Sequence, residues 1–234
     1  GLENIAGEKL KSILEKITSN KIMGILVGTV VTAVIQSSSA TTVMVVSFVN
    51  AGLMSLLQAT GVILGSNIGT TITAQMVSFN LEVVAPIFIG IGAILMLISK
   101  KKKVKDIAVI SVGFGILFMG MGLMSSSMKP IAELSVFKDA IIVMGRYSIL
   151  GVLVGIVMTA IVQSSSATTS ILVALAAAGT IDLNVAFPIV LGCNIGTCVT
   201  SLLSSIGANK NAKRAASIHL VFNVLGTIIF LIFL

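Results

Sequence analysis

The chain has 234 residues, of which 56% are hydrophobic and only 10% charged, and its mean hydropathy is +1.13. Soluble domains carry about a quarter charged residues, so this composition excludes an ordinary soluble protein and predicts an integral membrane protein. The formal net charge of +7 does not indicate a nucleic-acid partner, because five lysines lie in one short loop, residues 100–105, as is typical of cytoplasmic loops.

The first predicted element, residues 1–21, mixes charged and apolar side chains. This pattern predicts an amphipathic helix on the cytoplasmic membrane surface rather than a cleaved leader. Because the chain begins at Gly1 and ends inside the apolar run of residues 228–234, we expect further segments, such as a first spanning helix, at one or both ends.

Residues 22–50 are apolar except for four polar residues near the middle, residues 36–39. As one straight helix they would be about 43 Å long, whereas the hydrocarbon core of a bilayer is about 30 Å thick. A re-entrant hairpin removes the mismatch and places the polar tip near the midplane, where it must be buried in protein or line a wet cavity. A single kinked helix is the alternative.

The next element, residues 53–76, is apolar but contains the run 65–71, in which two glycines flank an asparagine. We therefore predict a spanning helix that is broken at this run. Residues 83–99 and 106–124 are predicted to be plain spanning helices, and residues 125–147 an extracytoplasmic connector.

The second half of the chain repeats the first. Residues 36–42 recur unchanged as residues 163–169, an offset of 127 (163 minus 36), and about half of the positions from 24 to 73 are identical to their partners. Three crossings separate the two predicted hairpins, so the second hairpin enters from the opposite face, as in many secondary transporters. The boundaries are residues 22–124 for the first transport repeat and 148–234 for the second.

The predicted fold is therefore an all-α polytopic membrane protein with two inverted repeats, each containing a re-entrant helical hairpin, a broken spanning helix and further spanning helices. The loop charges agree with this topology. Twelve of the fifteen Lys and Arg residues fall in residues 1–21, 100–105 and 207–214, which the topology places on one side. By the positive-inside rule that side is cytoplasmic, and the chain is predicted to lie in the plasma (inner) membrane.

Each hairpin's second arm begins at a serine cluster. A helix N-terminus has unpaired N–H groups and about half a positive charge, so it binds oxyanions without help from Lys or Arg. Serine hydroxyls and glutamine amides add further donors. The candidate anion-binding residues are Gln36, Ser37, Ser38, Ser39, Gln163, Ser164, Ser165 and Ser166.

Hydroxyl and amide oxygens near the same motifs suit a sodium ion, as do carbonyls freed where a helix unwinds. Because no charged residue lies near these motifs, a bound sodium would supply the counter-charge for an anion. The alternative is structural, since Ser and Thr in membrane helices often bond to the preceding turn. The candidate sodium-binding residues are Thr41, Thr42, Asn67, Thr70, Thr71, Thr73, Thr168, Thr169, Asn194, Thr197 and Thr200.

Other features favour structural roles. Glycines four residues apart, such as Gly61 and Gly65, predict close helix packing. Cys193 and Cys198 are expected to be buried and unpaired, and His219, which lies near Asn223, to pack or form hydrogen bonds rather than relay protons. No nucleophile–base pair, metal cluster or nucleotide motif occurs in the sequence, so we predict neither an enzyme nor a cofactor other than sodium.

The duplicated Gln-Ser-Ser-Ser, followed downstream by Gly-x-Asn-Ile-Gly-Thr, resembles the signature of the type II sodium–phosphate cotransporters. The match covers residues 24–73 and 151–200 well, and residues 214–226 more loosely. The resemblance implies sodium-driven uptake of inorganic phosphate, with the two Gln-Ser-Ser-Ser tips at the substrate site. It also implies a regulatory partner, because bacterial members often carry a C-terminal domain similar to a phosphate-signalling regulator.

The resulting hypothesis is sodium-coupled phosphate symport into the cell by alternating access. The alternatives are a sodium-coupled carrier of sulfate or a dicarboxylate, a phosphate-binding membrane regulator with little flux, and an anion channel. The number of sodium ions and the oligomeric state, including a homo-oligomer, stay open.

Overall fold

The protein is described by a computed structural model that covers residues 18, 20–78, 82–132 and 134–233. Within these ranges the structure is helical and contains no strand, as the sequence predicts. The helices are α1 (Lys21–Ile35), α2 (Ser38–Asn50), α3 (Leu56–Ser78), α4 (Ala85–Ile98), α5 (Lys102–Ala132), α6 (Ser135–Arg146), α7 (Ser148–Val162), α8 (Ser165–Ala177), α9 (Leu183–Ser204) and α10 (Lys210–Ile232), and a 3-10 turn (Glu82–Val84) precedes α4. The predicted amphipathic helix of residues 1–21 falls almost wholly outside the described residues.

Two of the described helices, α9 and α10, are long and apolar enough to cross a bilayer. Many large apolar side chains are exposed on the surface of the molecule, among them those of Val34, Leu97 and Ile161. Water would oppose such a surface, whereas lipid accepts it. The helices and their exposed apolar surfaces define a membrane protein.

The two halves of the chain share their helix boundaries at the offset of 127. Helices α1 and α2 correspond to α7 and α8 residue for residue, and α3 and α9 begin at equivalent positions. The chain breaks between α1 and α2 at residues 36–37, and between α7 and α8 at residues 163–164. The sequence predicted a break at these polar residues.

The prediction of a broken helix at residues 65–71 is wrong. Helix α3 runs without interruption from Leu56 to Ser78, and α9 from Leu183 to Ser204. The glycines serve packing instead, because a Cβ placed on Gly65 would lie 2.0 Å from the carbonyl oxygen of Ile25, and one on Gly192 would lie 2.0 Å from that of Val152. Close backbone contact between α1 and α3, and between α7 and α9, outweighs the helix-propensity cost of glycine, about 1 kcal/mol.

The predicted plain spans coincide with α4 and α5, which pack on each other through two further glycines. A Cβ on Gly92 would lie 2.7 Å from the carbonyl oxygen of Ala108, and one on Gly115 would lie 2.7 Å from that of Ala85. Phe118 is 2% exposed and its ring centroid lies 5.0 Å from that of Phe114. Helix α5 continues past residue 124 and α6 follows it, so most of the predicted connector, residues 125–147, is helical.

The halves pack crosswise. Helix α2 of the first half lies against α9 of the second, and α8 of the second half lies against α3 of the first. Helix α10 contacts α2, α3 and α9, and its buried alanines join an apolar core with residues of α2 and α3. The core residues are Val45, Val46, Val49, Met54, Ala59, Val62, Ile63, Ala212, Ala215 and Ala216.

Asn209 ties the start of α10 to the end of α2. Its backbone N–H donates to Asn50 Oδ1 at 2.8 Å, and its amide Nδ2 donates to the carbonyl oxygen of Asn50 at 2.9 Å. Its own Oδ1 accepts from the N–H of Ala212 at 2.9 Å and caps α10. The end of the first hairpin and the loop before α10 therefore lie at the same end of the molecule.

Candidate functional site

The helix breaks are formed by Gln36 and Gln163, which are the described non-glycine residues with positive φ, both at 59°. This left-handed conformation costs a residue with a side chain about 1–2 kcal/mol. The amide Nε2 of Gln36 donates to the carbonyl oxygen of Ala33, and that of Gln163 to the carbonyl oxygen of Ala160, so each side chain caps the helix that it ends. The same left-handed turn therefore ends the first arm at both breaks.

The next residue at each break caps the following helix. Ser37 is in an extended conformation and its Oγ accepts from the N–H of Ala40 at 3.1 Å, and Ser164 Oγ accepts from the N–H of Ala167 at 3.2 Å. The hydroxyl of Thr41 donates to the carbonyl oxygen of Ser37 at 3.1 Å. These bonds leave the N–H groups of the first two helical residues facing out of the N-terminus.

Those first residues are the predicted anion ligands. In α2 they are Ser38 and Ser39, and in α8 they are Ser165 and Ser166. Ser38 and Ser165 are each 6% exposed, and Ser39 and Ser166 are half-buried. Each helix start thus presents backbone N–H groups, serine hydroxyls and the positive end of the helix dipole in a buried place, an arrangement that stabilises an oxyanion.

The two breaks differ in one buried hydroxyl. Thr32 in α1 donates to the hydroxyl of Thr41 at 3.0 Å and so joins the two arms of the first hairpin. The equivalent residue in the second half is Thr159, which is 1% exposed. Its Oγ1 does not bond to Thr168 and lies instead beside the buried thiol of Cys193, whereas Thr168 still donates to the carbonyl oxygen of Ser164 at 3.1 Å.

Five of the eleven predicted sodium ligands bond within their own helix. Thr42, Thr70, Thr71, Thr197 and Thr200 donate to carbonyl oxygens three or four residues earlier. This is the ordinary structural role of a hydroxyl in a membrane helix, although each oxygen keeps a lone pair. Because α3 and α9 are continuous, no carbonyls are freed by unwinding at residues 67–71. Thr169 is half-buried in α8, and the side chain of Thr73 lies outside the described residues.

The two motif asparagines have different surroundings. Asn67 is half-buried, and its Nδ2 donates to Asn223 Oδ1 at 3.2 Å. Asn194 is exposed, and no hydrogen bond of its side chain occurs within the described ranges. Asn223 is a polar residue that the sequence reasoning did not include in the site. The signal for it was its spacing from His219, four residues earlier on the same helix.

The expected burial of the unpaired cysteines is confirmed, and His219 makes a hydrogen-bond contact. His219 is fully buried and its Nδ1 lies 3.2 Å from Ser201 Oγ, while its Nε2 has no partner in the part of the chain that the structure describes. Cys193 and Cys198 are buried and unpaired. Among the described residues no group of His, Cys, Asp and Glu could hold a metal ion.

The crosswise packing sets which predicted residues share a neighbourhood. The arm that begins at Ser38 lies on the motif helix of the second half, α9, and the arm that begins at Ser165 lies on the motif helix of the first half, α3. Each half therefore packs its second hairpin arm on the motif helix of the other half.

Apolar helices of this length, with uncharged polar groups at duplicated helix starts, are typical of a helical membrane protein. The chain belongs to the Na+/Pi-cotransporter family, whose family model matches residues 1–126 and again residues 122–234. The two matches agree with the internal duplication.

Relatives extend this assignment. YqeW, an uncharacterized protein of Bacillus subtilis (strain 168), is 33% identical over the whole chain, which spans 76% of that protein. YjbB of Escherichia coli (strain K12), named as a candidate inorganic phosphate export protein, is 30% identical, and the chain spans only 43% of its length. The sodium-dependent phosphate transport protein 2A of Rattus norvegicus is 37% identical over 41% of this chain and 16% of its own length. No solved structure matches the chain.

Proposed function

We propose that this protein is a sodium-coupled symporter that carries inorganic phosphate into the cell by alternating access. The observation that carries the proposal is the duplicated helix start, in which a left-handed glutamine is followed by a capping serine and buried serine hydroxyls. Family membership supports phosphate transport, and the direction and the sodium coupling are the parts proposed here.

The anion would bind to the starts of α2 and α8. Phosphate offers several oxygens, each of which accepts hydrogen bonds, and the N–H and hydroxyl groups of Ser38, Ser39, Ser165 and Ser166 are donors. Gln36 and Gln163 hold the turns that aim these donors, because their side chains cap the preceding helices. Removing either glutamine would release the turn without removing a donor from the helix start.

Sodium would bind beside the anion through uncharged oxygens of the motif helices. Hydroxyls that donate their proton to the preceding turn, as Thr70 and Thr197 do, present an oxygen lone pair outward. Since no cationic side chain lies near the motifs, sodium provides the positive charge that a buried phosphate requires. Anion and cation would then bind together, which is the basis of coupling.

The proposed topology has two inverted, re-entrant repeats, with α3, α4, α5, α9 and α10 crossing the membrane. The hydrogen bonds between Asn50 and Asn209 support it, because the topology places both residues at the cytoplasmic side. With the Lys-rich loops inside, the membrane potential contributes about 2.3 kcal/mol per inward charge per 100 mV. A net inward movement of sodium would therefore drive phosphate uptake.

The test is radiolabelled phosphate uptake by the full chain in proteoliposomes, with an inward gradient of sodium or of choline. We expect uptake only with sodium, and its loss in Gln163→Ala and Ser165→Ala. Ser47→Ala is the matched control, since this serine lies on α2 and is exposed, and its hydroxyl only donates to the carbonyl oxygen of Val43. Uptake that is indifferent to sodium would refute the coupling, and near-normal uptake in both site variants would refute the site.

Phosphate export is the second candidate, because the relative YjbB is named for it. Liposomes preloaded with phosphate, with protein of known orientation, distinguish the directions: an exporter releases phosphate from the cytoplasmic to the outer side without an inward sodium gradient. Competition by sulfate and dicarboxylates separates a carrier of another oxyanion. Saturable phosphate binding without flux would indicate a regulator, and sodium-independent currents would indicate a channel.

A further inference from the structure

Helix α10 presents a buried face that changes from apolar to polar along its length. Near its start the face consists of Ala212, Ala215 and Ala216, each 0% exposed. It continues with His219 at 0% and Asn223 at 6%. Burying a stripe of polar side chains in a membrane helix costs free energy unless they form hydrogen bonds. Such residues are therefore candidates for a functional role.

The stripe lies at the depth of the first serine cluster. The contact between Asn50 and Asn209 sets a common level for α2 and α10. From that level Ser38 lies about 18 Å back along α2, and Asn223 about 20 Å along α10, at about 1.5 Å per residue. Asn67 on α3 lies at the same depth as the stripe, because its Nδ2 donates to Asn223 Oδ1 at 3.2 Å.

The hydrogen bonds of Asn223 fix which way its amide points. Its Nδ2 donates to the carbonyl oxygen of His219 at 2.8 Å and to Cys198 Sγ at 3.4 Å. Its Oδ1 is therefore the atom that faces Asn67, and it accepts from Asn67 Nδ2. Asn67 in turn has its Oδ1 directed away from Asn223, with no protein donor to it among the described residues. An amide held this way presents an oxygen, which suits a cation and not an anion.

The second half has no such arrangement. The asparagine of the second motif, Asn194, lies on α9, and no described asparagine holds its amide as Asn223 holds that of Asn67. Asn194 is exposed and lacks a side-chain partner within the described ranges. Its amide is free to present either its oxygen or its nitrogen, so only the first half fixes a cation-binding orientation.

We propose that Asn223 is a positioning residue that orients the side-chain amide oxygen, Oδ1, of Asn67 as a sodium ligand. The two halves of the duplicated site are then inequivalent. The inference rests on the proposed sodium coupling and deepens it by assigning the organised cation site to the first half. Asn223 acts through Asn67 rather than by contacting sodium itself.

The test measures sodium binding to the purified full chain through the thermal stabilisation that added sodium produces, with choline at equal ionic strength as the reference. We expect Asn223→Ala to raise the sodium dissociation constant at least about 10-fold, as loss of a group that orients a metal ligand does. Thr227→Ala is the matched control. Thr227 lies on the same buried face and donates to the carbonyl oxygen of Leu191, but it does not contact Asn67. It should leave the constant unchanged.

A rescue variant separates positioning from general damage. Asn67→Asp presents an oxygen in either orientation, so adding Asn223→Ala to it should leave the sodium constant of Asn67→Asp unchanged. In transport, Asn223→Ala should raise the sodium concentration for half-maximal uptake while the rate at saturating sodium stays near that of the parent.

The outcomes are distinct. Sodium stabilisation that is the same in Asn223→Ala and the parent overturns this inference and leaves the proposed symport intact. Absence of any sodium-specific stabilisation in the parent overturns both. If Asn223→Ala fails to fold, sodium affinity is compared between Asn67→Asp alone and Asn67→Asp combined with Asn223→Ser. A lower sodium affinity in the double variant overturns the positioning role, and equal affinity supports it.

Discussion

Replacing the packing glycines by alanine tests the finding that α3 and α9 pack backbone to backbone on α1 and α7. A Cβ on Gly65 would lie 2.0 Å from the carbonyl oxygen of Ile25, and a Cβ on Gly192 would lie 2.0 Å from that of Val152. Ordinary contact begins at 3.4 Å, so the helices would have to separate by about 1.4 Å (3.4 minus 2.0) in each case. The opposing atoms are backbone, which cannot move aside as a flexible side chain would.

The expected cost follows from that separation. Overpacking typically destabilises a protein by about 1–3 kcal/mol, and a clash with backbone belongs at the upper end. For a chain of this size about 3 kcal/mol corresponds to a fall of about 6–12 °C in the melting temperature. Gly65→Ala and Gly192→Ala should show similar losses, because the two contacts are equivalent.

The assay is thermal unfolding of the detergent-purified chain, monitored with a thiol-reactive dye. The dye labels Cys193 and Cys198, which are buried in the folded protein, once unfolding exposes them. Gly113→Ala is the control, since nothing lies within 4 Å of a Cβ at that position on α5. Its melting temperature should equal or exceed that of the parent. If Gly65→Ala and Gly192→Ala were as stable as Gly113→Ala, the glycines would not be packing contacts.

Two further predictions use the duplication and the topology. Thr32→Val should destabilise the chain by about 1 kcal/mol through loss of the bond to Thr41, whereas Thr159→Val should cost less, because the Thr159 hydroxyl makes no such bond and faces only the weakly bonding sulfur of Cys193. Equal losses in the two variants, measured by the same thermal unfolding, would contradict this difference. For the topology, single cysteines at Lys101 and Asp182, in a background without Cys193 and Cys198, should react differently with an impermeant maleimide in intact cells. Asp182→Cys should be labelled and Lys101→Cys should be protected until the membrane is permeabilised, and the reverse pattern would invert the proposed orientation.

The helix breaks could be predicted from the sequence because their cause is local. Four contiguous polar residues inside an apolar run cannot be placed at the centre of a membrane helix without a reason, and the duplication repeated the same signal at residue 163. The exact turn at Gln36, with its left-handed backbone and its side-chain cap, follows from the same residues but needed coordinates to be seen.

The failure at residues 65–71 has a physical cause that a single segment does not reveal. Glycine weakens an isolated helix, but it strengthens a helix pair by allowing the backbones to touch. Which effect dominates depends on the partner helix, here α1 with Ile25 opposite Gly65. Asn223 was missed for a similar reason, because its role depends on contacts with Asn67 on α3 and Cys198 on α9, far away in the sequence.

The crosswise packing of α2 on α9 and of α8 on α3 has a consequence for how the chain is assembled. Neither half is a self-sufficient unit, since each would leave the face of its long helix uncovered until the other arrives. Cutting the chain in the segment between α6 and α7 would therefore give two pieces that must recombine before either acquires its mature structure.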